Sequence, residues 1–408
     1  MEYPDWVQET SNWLVEQTLV GTPADRMLKG FCERLVEGGI PLVRGHIACG
    51  YLHPMFRAFS VTWNREEGIV RDRFSFQSAT NDAWLRSPLK AVTVSETNEL
   101  RFRIRDGEGV EEFPVLAEFK DRGYKDYVAI VRPFSAPAAQ ALSRMDGCIS
   151  SWVTDAEVGL SDRCLVALRR LFPRLAVALK TIVREQTAHN IASAYLGNHA
   201  GDRVLRGSFR RGDGETIQAA IWFSDMRGST AIADIMEPKL FLNRLNRYFE
   251  CTAGSVLDHG GEVLRFIGDA VLAIFPIYGP GGAEKAARVA ISAAREARRR
   301  ADLLNEEPPQ DDPTPIEFGL GLHIGEVLYG NIGVPERLEF SVIGRAANES
   351  ARLQELTKQL DTNIIASDAF VSLTPGPNWR SLGSHSLRGV SEPQPIWAFD
   401  GNGINGNG

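Results

Sequence analysis

The sequence predicts an α+β protein in which a mixed α/β region, residues 1–185, precedes a region with one sheet covered by helices. Two observations lead to this fold class. Residues 1–180 show helical, then strand, then helical patterns, whereas residues 216–397 alternate strand and helix patterns. Such alternation indicates a sandwich of the α/β or α+β type, with helices packed on a single sheet.

Length and composition limit the class of protein. A chain of 408 residues accommodates two or three domains, and a hydrophobic content of 43% is typical of globular proteins. The net charge of −7 gives no support to nucleic-acid binding. The five cysteines form no C-x-x-C pair, so we expect neither a disulfide framework nor a zinc site.

The chain also lacks the patterns of membrane insertion. Its N-terminus is acidic and polar, which is not typical of a signal peptide. No apolar run reaches the roughly 18 residues that a membrane helix needs. We therefore expect a soluble, cytoplasmic protein with no integral membrane segment.

In the first region, "DWVQETSNWLVEQTL" and "PADRMLKGFCERLVEG" have apolar residues at helical spacing. Strands are predicted at "AFSVTWN", "LRFRIRD" and "DYVAIVRPF". A long helical pattern follows, and Pro173 within it is expected to kink or split the helix. Residues 186–215 form a helical and then polar connector rich in Gly and Arg.

The second region is predicted to end at residue 399 and to be followed by a disordered Gly/Asn-rich tail, residues 400–408. Its predicted elements are, in order, a strand (217–224), a helix (238–258), a hairpin (262–275), a helix (283–304), two strands (316–323 and 326–332), a short strand (340–343), a helix (346–358) and further short strands.

Two aspartates stand at the ends of apolar strands. Asp225 ends the strand in "AAIWFSDMRGST", and Asp269 lies at the hairpin turn of "RFIGDAVLAIF", where Gly268 supplies the bend. If the two strands are neighbours, both carboxylates reach one edge of the sheet. They have no cationic partner in their own segments, so they would repel each other unless a divalent cation neutralised them. Mg²⁺ binds one or two carboxylates together with substrate phosphates.

The residues after Asp225 fit the other half of such a site. Arg227, Gly228, Ser229 and Thr230 could open a helix or turn whose free N–H groups face an anion. Together with two metal ions, this run would suit a polyphosphate. Each pattern alone also has an ordinary explanation as a cap or a hairpin turn.

A third stretch, "RLEFSVIGRAANESARLQEL", adds an amide and a guanidinium. Asn348 and Arg352 are four residues apart, so they share one helix face and could contact the same ligand. A guanidinium suits negative charge that develops on a phosphoryl group. Taken alone, the stretch is equally an exposed helix with a routine arginine.

These stretches together resemble the class III nucleotidyl cyclases, the adenylate and guanylate cyclase catalytic domains. The resemblance runs from about Gln218 to Phe399 and implies a ferredoxin-like class III cyclase domain over residues 216–399. The matching stretches are, in family order, "FSDMRGST", "HGGEVLRFIGDAVLAIF", "GLHIGEVLYGNIG", "FSVIGRAANESARL" and "LRGVSEPQPIWAF".

The resemblance assigns metal and phosphate roles. Asp225 and Asp269 match the metal-binding aspartates, with two Mg²⁺ or Mn²⁺ ions expected per active site. The backbone carbonyl of Met226 would add a metal contact, and the loop from Arg227 to Thr230 would hold the phosphates. Arg388 would contact the terminal phosphates.

The resemblance also implies the reaction and the assembly. Asn348 matches the residue that orients the ribose, and Arg352 matches the residue that stabilises the transition state at the α-phosphate. In this family the ribose 3′-oxygen attacks the α-phosphate, which releases pyrophosphate and a 3′,5′-cyclic nucleotide. The active site forms between two catalytic domains, so a chain with one such domain is expected to be a homodimer.

The base-reading positions leave the nucleotide open. Arg265 stands where adenylate cyclases carry a lysine, and Ser341 matches a bacterial subgroup with Ser or Thr at the partner position. An Arg–Ser pair can read adenine, and we expect ATP as the substrate. The arginine fork also suits guanine or a pyrimidine carbonyl. Guanylate activity, uridylate or cytidylate activity in antiphage signalling, and a catalytically inactive nucleotide-binding regulator therefore remain alternatives.

The latter half of residues 40–180 resembles the end of a GAF-type sensor domain. The resemblance rests on "DYVAIVRPF" and the following "CISSWVTDAEVGLSDRCLVALRRLFPRLAVAL", in which a sheet is followed by a helix leading to an output domain. It implies that residues 1–185 regulate or dimerise a signal-transduction enzyme. The sequence does not identify a sensor ligand or a regulatory partner.

Overall fold

The chain divides into two compact units, Met1–Ala194 and Tyr195–Gly408. The computed structural model describes residues 4–135, 146–208, 210–388, 390 and 392–400. The predicted disordered tail lies outside these residues except for Asp400, whose carboxylate pairs with Arg380. No helix in the described part of the chain is both long and apolar enough to cross a membrane.

The first unit is built on a sheet of six strands with helices before, between and after them. The strands are β1 (Leu42–Gly50), β2 (Phe56–Asn64), β3 (Gly68–Ser75), β4 (Glu99–Phe102), β5 (Asp126–Pro133) and β6 (Gly147–Thr154). The helices are α1 (Asp5–Leu19), α2 (Ala24–Glu37), α3 (Asp82–Leu85), α4 (Pro88–Val94), α5 (Pro114–Asp121) and α6 (Asp162–Leu196), with 3₁₀ turns at Phe76–Thr80 and Ile104–Asp106.

The strand order is β3-β2-β1-β6-β5-β4, and every neighbouring pair is antiparallel. One core cluster joins α1, α2 and α6 to the sheet and includes edge-to-face ring contacts of Trp152 with Phe31 and Phe172. Pro173 does not split α6, which runs unbroken from residue 162 to residue 196. Burial of apolar side chains on both sides of Pro173, such as Phe172 and Leu175, offsets the backbone hydrogen bond that proline removes.

The second unit contains the elements that carry the candidate site. Its strands are β7 (Gly214–Met226), β8 (Glu262–Ile267), β9 (Ala270–Pro276), β10 (Phe318–Val334), β11 (Arg337–Ile343), β12 (Ile364–Ser367), β13 (Trp379–His385) and β14 (Gln394–Phe399). Its helices are α7 (Asn198–Leu205), α8 (Ser229–Ile235), α9 (Pro238–Asp258), α10 (Gly282–Glu306), α11 (Arg345–Gln359) and α12 (Asp368–Val371).

These strands form one sheet in the order β13-β14-β12-β10-β7-β9-β8, with β11 paired to β10. Only β10 and β12 pair in parallel among the described strands of this sheet. Side chains alternate between the two faces of β7. Ala220 and Trp222 pack towards α9 and α10, whereas Ala219 and Ile221 join a cluster that includes Ala200 of α7.

The structure corrects predicted strands in both units. The strand predicted at "LRFRIRD" ends at Phe102, and Ile104–Asp106 form a 3₁₀ turn. The sequence suggested two strands at 316–323 and 326–332, but β10 is a single strand from Phe318 to Val334. Gly325 lies inside it and does not break the strand. A Cβ on Gly325 would lie 2.8 Å from the Cβ of Ala346, so this glycine serves the close approach of α11.

Two more glycines of β10 allow α11 to pack directly on the strand. A Cβ on Gly319 would lie 2.1 Å from Thr357 Oγ1, and a Cβ on Gly321 would lie 2.2 Å from the carbonyl oxygen of Ser350. Both distances are too short for any side chain. The position of α11 against the sheet therefore depends on hydrogen atoms at these two places.

We predict that Gly321→Ala destabilises the second unit by about 2 kcal/mol, because the added methyl group meets a backbone oxygen that cannot rotate away. Gly376→Ala is the matched control, since a Cβ there has no neighbour within 4 Å. Urea unfolding of both variants measures the difference. Equal stability of Gly321→Ala and Gly376→Ala would contradict the close packing of α11.

Candidate active site

The register of β7 and β9 brings the two predicted carboxylates together. Asp225 lies directly opposite Ala270, the residue that follows Asp269. Gly268 has a φ of 63° and forms the turn between β8 and β9, as the sequence predicted. The expectation that both aspartates reach the same edge of the sheet is confirmed.

The two carboxylates lie in a partly buried, negatively charged environment. The Asp225 side chain is 19% exposed. Burial raises the pKa of the Asp225 carboxyl above its ordinary value, the charge of Asp269 acts in the same direction, and the Lys358 ammonium opposes both. The Oδ2 atom of Asp269 is buried and has no hydrogen-bond partner in the structure. A buried carboxylate oxygen without a partner is costly, and a bound cation would remove that cost.

The donor set fits a hard divalent cation that takes further ligands from a substrate. Within the described residues, no group of three or more His, Cys, Asp or Glu side chains could hold a metal alone. Two carboxylates at a strand edge match Mg²⁺ or Mn²⁺, which keep waters and bind substrate phosphates. The residues present therefore fit the expected metals.

A cation outside the two aspartate segments contacts Asp225. The Nζ atom of Lys358, on α11, lies 2.8 Å from Asp225 Oδ2. This residue could not be predicted from the sequence, because nothing in "ELTKQL" separates it from an ordinary exposed lysine. Gly319 lies opposite Asp225 on β10, and its missing side chain admits Thr357, the neighbour of Lys358.

A buried hydroxyl supports the strand behind Asp225. Ser224 Oγ accepts hydrogen bonds of 3.0 Å from both Trp222 Nε1 and the Tyr248 hydroxyl. Burial raises the pKa of Tyr248 well above its usual range, so the phenol remains a neutral donor. These two hydrogen bonds fix the end of β7 from the α9 side, while the Asp225 side chain projects from the opposite face.

The loop after Asp225 turns into a helix, as predicted. Gly228 has a φ of 69° and is the N-cap of α8. Ser229 and Thr230 are the first two residues of that helix. Because they stand in the first turn, their backbone N–H groups have no carbonyl acceptor within the helix.

Arg227 and Met226 contact the protein itself through their side chains. Arg227 Nη2 donates to the carbonyl oxygens of Thr357 at 3.3 Å and Thr362 at 2.7 Å, which ties this loop to the end of α11. Met226 is fully buried in the core below the helices. Any contact of either residue with a metal or phosphate therefore remains a prediction.

Asn348 and Arg352 lie on α11 but are not joined to the carboxylates of their own chain. Asn348 is exposed, and Arg352 Nη1 pairs with Glu355 at 2.6 Å on the same helix. At 3.6 residues per turn, Lys358 lies about 80° around the helix from Asn348 and about 120° from Arg352. The helix face that carries Asn348 and Arg352 therefore differs from the side that meets Asp225.

The predicted base-reading arginine has an ion-pair partner that the sequence did not indicate. Arg265, on β8, forms an ion pair with Glu339, on β11, and both side chains are partly exposed. Ser341 lies two residues further along β11 and is 5% exposed. Glu339 and Ser341 share one strand face because side chains alternate, and this period could have identified Glu339.

Arg388 is exposed and lies between β13 and β14. Its neighbour Leu387 is buried in a small cluster with Leu353 and Ile396, which anchors this segment near α11. Gly389 and Ser391 lie outside the described residues.

Comparison with known families identifies the second unit. Residues 214–397 match the family model described as the adenylate and guanylate cyclase catalytic domain. An uncharacterized protein of Mycobacterium tuberculosis (strain CDC 1551 / Oshkosh) is 32% identical over 207 residues, covering 49% of this chain and 35% of that protein. An uncharacterized protein of Mycobacterium bovis (strain ATCC BAA-935 / AF2122/97) is 35% identical over 205 residues, covering 48% and 36%. The chain thus spans about a third of the length of these relatives.

Solved structures of cyclases also resemble the chain. The adenylyl cyclase CyaB from P. aeruginosa shares 26% identity with a TM-score of 0.42, covering 46% of this chain and 95% of that one. The guanylyl cyclase Cya2 shares 27% identity with a TM-score of 0.41, covering 47% and 97%. On the match of residues 214–397, the C-terminal half of this chain carries an adenylate and guanylate cyclase catalytic domain.

Proposed function

We propose that the chain is a nucleotide cyclase that converts a nucleoside triphosphate, with ATP as the expected substrate, into its 3′,5′-cyclic monophosphate and pyrophosphate. One observation carries this proposal. Asp225 and Asp269 form a partly buried carboxylate pair, with Asp269 Oδ2 unpartnered, inside a segment that matches the cyclase family.

Asp225, Asp269 and the backbone carbonyl of Met226 would hold two Mg²⁺ or Mn²⁺ ions. Bound there, the ions would neutralise charge on the triphosphate and activate the ribose 3′-oxygen. The fit rests on the hard oxygen donors of the two carboxylates and on their charge. The single Lys358 ammonium pairs with Asp225 and leaves the Asp269 carboxylate oxygen Oδ2 without a partner.

The other residues would position the nucleotide. The loop Arg227–Thr230 would bind the phosphates, with the free N–H groups at the start of α8 donating hydrogen bonds to the phosphate oxygens. Asn348 would hydrogen-bond the ribose, and Arg352 would donate to the α-phosphate as negative charge develops on it. Arg388 would contact the terminal phosphates.

The geometry of α11 supports a homodimer. In one chain the carboxylates meet Lys358, while Asn348 and Arg352 occupy a different face of the same helix. A second copy related by twofold symmetry would supply those two side chains to the carboxylates of the first. Each dimer would then contain two equivalent sites.

The choice of base would depend on Arg265, Ser341 and Glu339. The Arg265–Glu339 pair presents guanidinium donors beside a carboxylate acceptor. Adenine offers an adjacent ring acceptor and amino donor, which such a pair can match. Guanine and the pyrimidines also offer a donor beside an acceptor, so guanylate and uridylate or cytidylate cyclisation are the alternative activities.

A catalytically inactive nucleotide-binding regulator is the second candidate. It is disfavoured because Asp225, Asp269, Asn348 and Arg352 are all present in one chain.

We further propose that residues 1–185 act as a GAF-like regulatory or dimerising region of this cytoplasmic signalling enzyme. Its six-stranded antiparallel sheet and the long helix α6 that follows it support this role.

Purified full-length protein with Mn²⁺ or Mg²⁺ is expected to release pyrophosphate and a cyclic nucleotide, mainly cyclic AMP, when ATP, GTP, UTP and CTP are supplied separately. Chromatography of the products measures this. Asp269→Asn should lower turnover by about 10³-fold or more, because it removes a charge that the metal site requires.

Asp302→Asn is the matched control, since Asp302 is an exposed carboxylate on α10 paired with Arg298. It should turn over at the wild-type rate. Unchanged turnover in Asp269→Asn would refute the metal site. Nucleotide binding without any cyclic product from the four triphosphates would favour the inactive regulator.

Glu339→Gln tests the base pocket. Loss of the carboxylate frees the Arg265 guanidinium, so the ratio of kcat/KM between the best and second-best nucleotide should change about tenfold. Glu336→Gln is the control, because Glu336 is an exposed residue of the same hairpin. Identical nucleotide ratios in wild type, Glu339→Gln and Glu336→Gln would exclude Glu339 from base selection.

A further inference from the structure

Lys358 holds the position that a metal ion would need at the candidate site. Its Nζ atom lies 2.8 Å from Asp225 Oδ2, and its side chain is 53% exposed while that of Asp225 is 19% exposed. We propose that Lys358 is an internal counter-ion of the carboxylate pair, which must leave Asp225 before a divalent cation binds and which therefore weakens metal binding without nucleotide. This inference rests on the proposed metal site at Asp225 and Asp269.

The charge balance favours an exchange over a permanent ion pair. One ammonium faces two carboxylates, and it reaches only one of them, since Asp269 Oδ2 stays buried without a partner. A divalent cation would neutralise both charges and contact both oxygens. Lys358 therefore neutralises only part of the negative charge of the two carboxylates, and a divalent cation matches the same oxygen donors better.

The Lys358 ammonium and a divalent metal ion cannot both bind Asp225 Oδ2 without repelling each other. Metal–oxygen distances of about 2.1 Å place a dication well within repulsive reach of an ammonium that stays hydrogen-bonded to the same carboxylate. Lys358 has four flexible methylene groups and an exposed side chain, so it can move into solvent at little cost.

Lys358 is not needed to attach α11 to the sheet. The close packing at Gly319 and Gly321 and the hydrogen bonds from Arg227 to Thr357 and Thr362 already fix the end of this helix. An ion pair whose lysine is half exposed adds little to stability. Loss of the lysine should therefore have no measurable effect on the fold, whereas the exchange role predicts an effect on metal affinity.

The test is a Mn²⁺ titration of the full chain without nucleotide, with free Mn²⁺ followed by electron paramagnetic resonance. Lys358→Gln should bind Mn²⁺ roughly five- to tenfold more tightly than wild type, because the competing ammonium is gone. Lys358→Arg keeps the charge and should retain weak, wild-type binding. Lys285→Gln removes an exposed lysine of α10 and is the control. Circular dichroism melts verify that each variant is folded.

Asp225→Asn separates the two ways in which the idea can fail. If Lys358→Gln binds Mn²⁺ no more tightly than wild type while Asp225→Asn loses binding, the metal site stands and the exchange role of Lys358 is overturned. If wild type, Lys358→Gln and Asp225→Asn all bind Mn²⁺ alike, the cation lies elsewhere, which overturns the proposed metal site together with this inference.

Discussion

The pairing of β7 with β9 forces two like charges together at one edge of a sheet. Asp225 lies opposite the residue that follows Asp269, so the register of the two strands holds the backbone of both aspartates close together. Hydrogen bonds from Trp222 and Tyr248 to Ser224 hold the end of β7 on the face opposite the Asp225 side chain. Two like charges held side by side repel each other, and such an arrangement is typical of sites that bind a cation.

The second constraint is the close contact of α11 with β10. Gly319, Gly321 and Gly325 leave room for the helix, so its residues are placed by backbone packing rather than by flexible side chains. One end of α11 then meets Asp225 through Lys358, while Asn348 and Arg352 stay on another face. The same helix thus contacts a carboxylate of its own chain and carries Asn348 and Arg352, which we propose contribute to the site of a second copy.

Much of this could be predicted from the sequence, and the limits have physical causes. Apolar periodicity located α9, α10 and α11, and strand ends located both aspartates, because these depend on local patterns. Lys358 could not be predicted, since its contact with Asp225 arises from packing between segments 133 residues apart. The break expected near Gly325 was wrong because that glycine serves packing rather than a turn. Strand alternation places Glu339 on the same face of β11 as Ser341, but its pairing with Arg265 also depends on where β8 and β11 meet, which no local pattern encodes.

We propose that the carboxylates of one copy work with α11 of another, and mixing two inactive variants tests this shared site. Asp269→Asn and Arg352→Ala are each expected to be inactive. Co-refolded in equal amounts, they should recover about a quarter of the wild-type activity, because half of the dimers are mixed and each mixed dimer has one intact site. A mixture as inactive as the separate variants would mean that each chain builds its site alone.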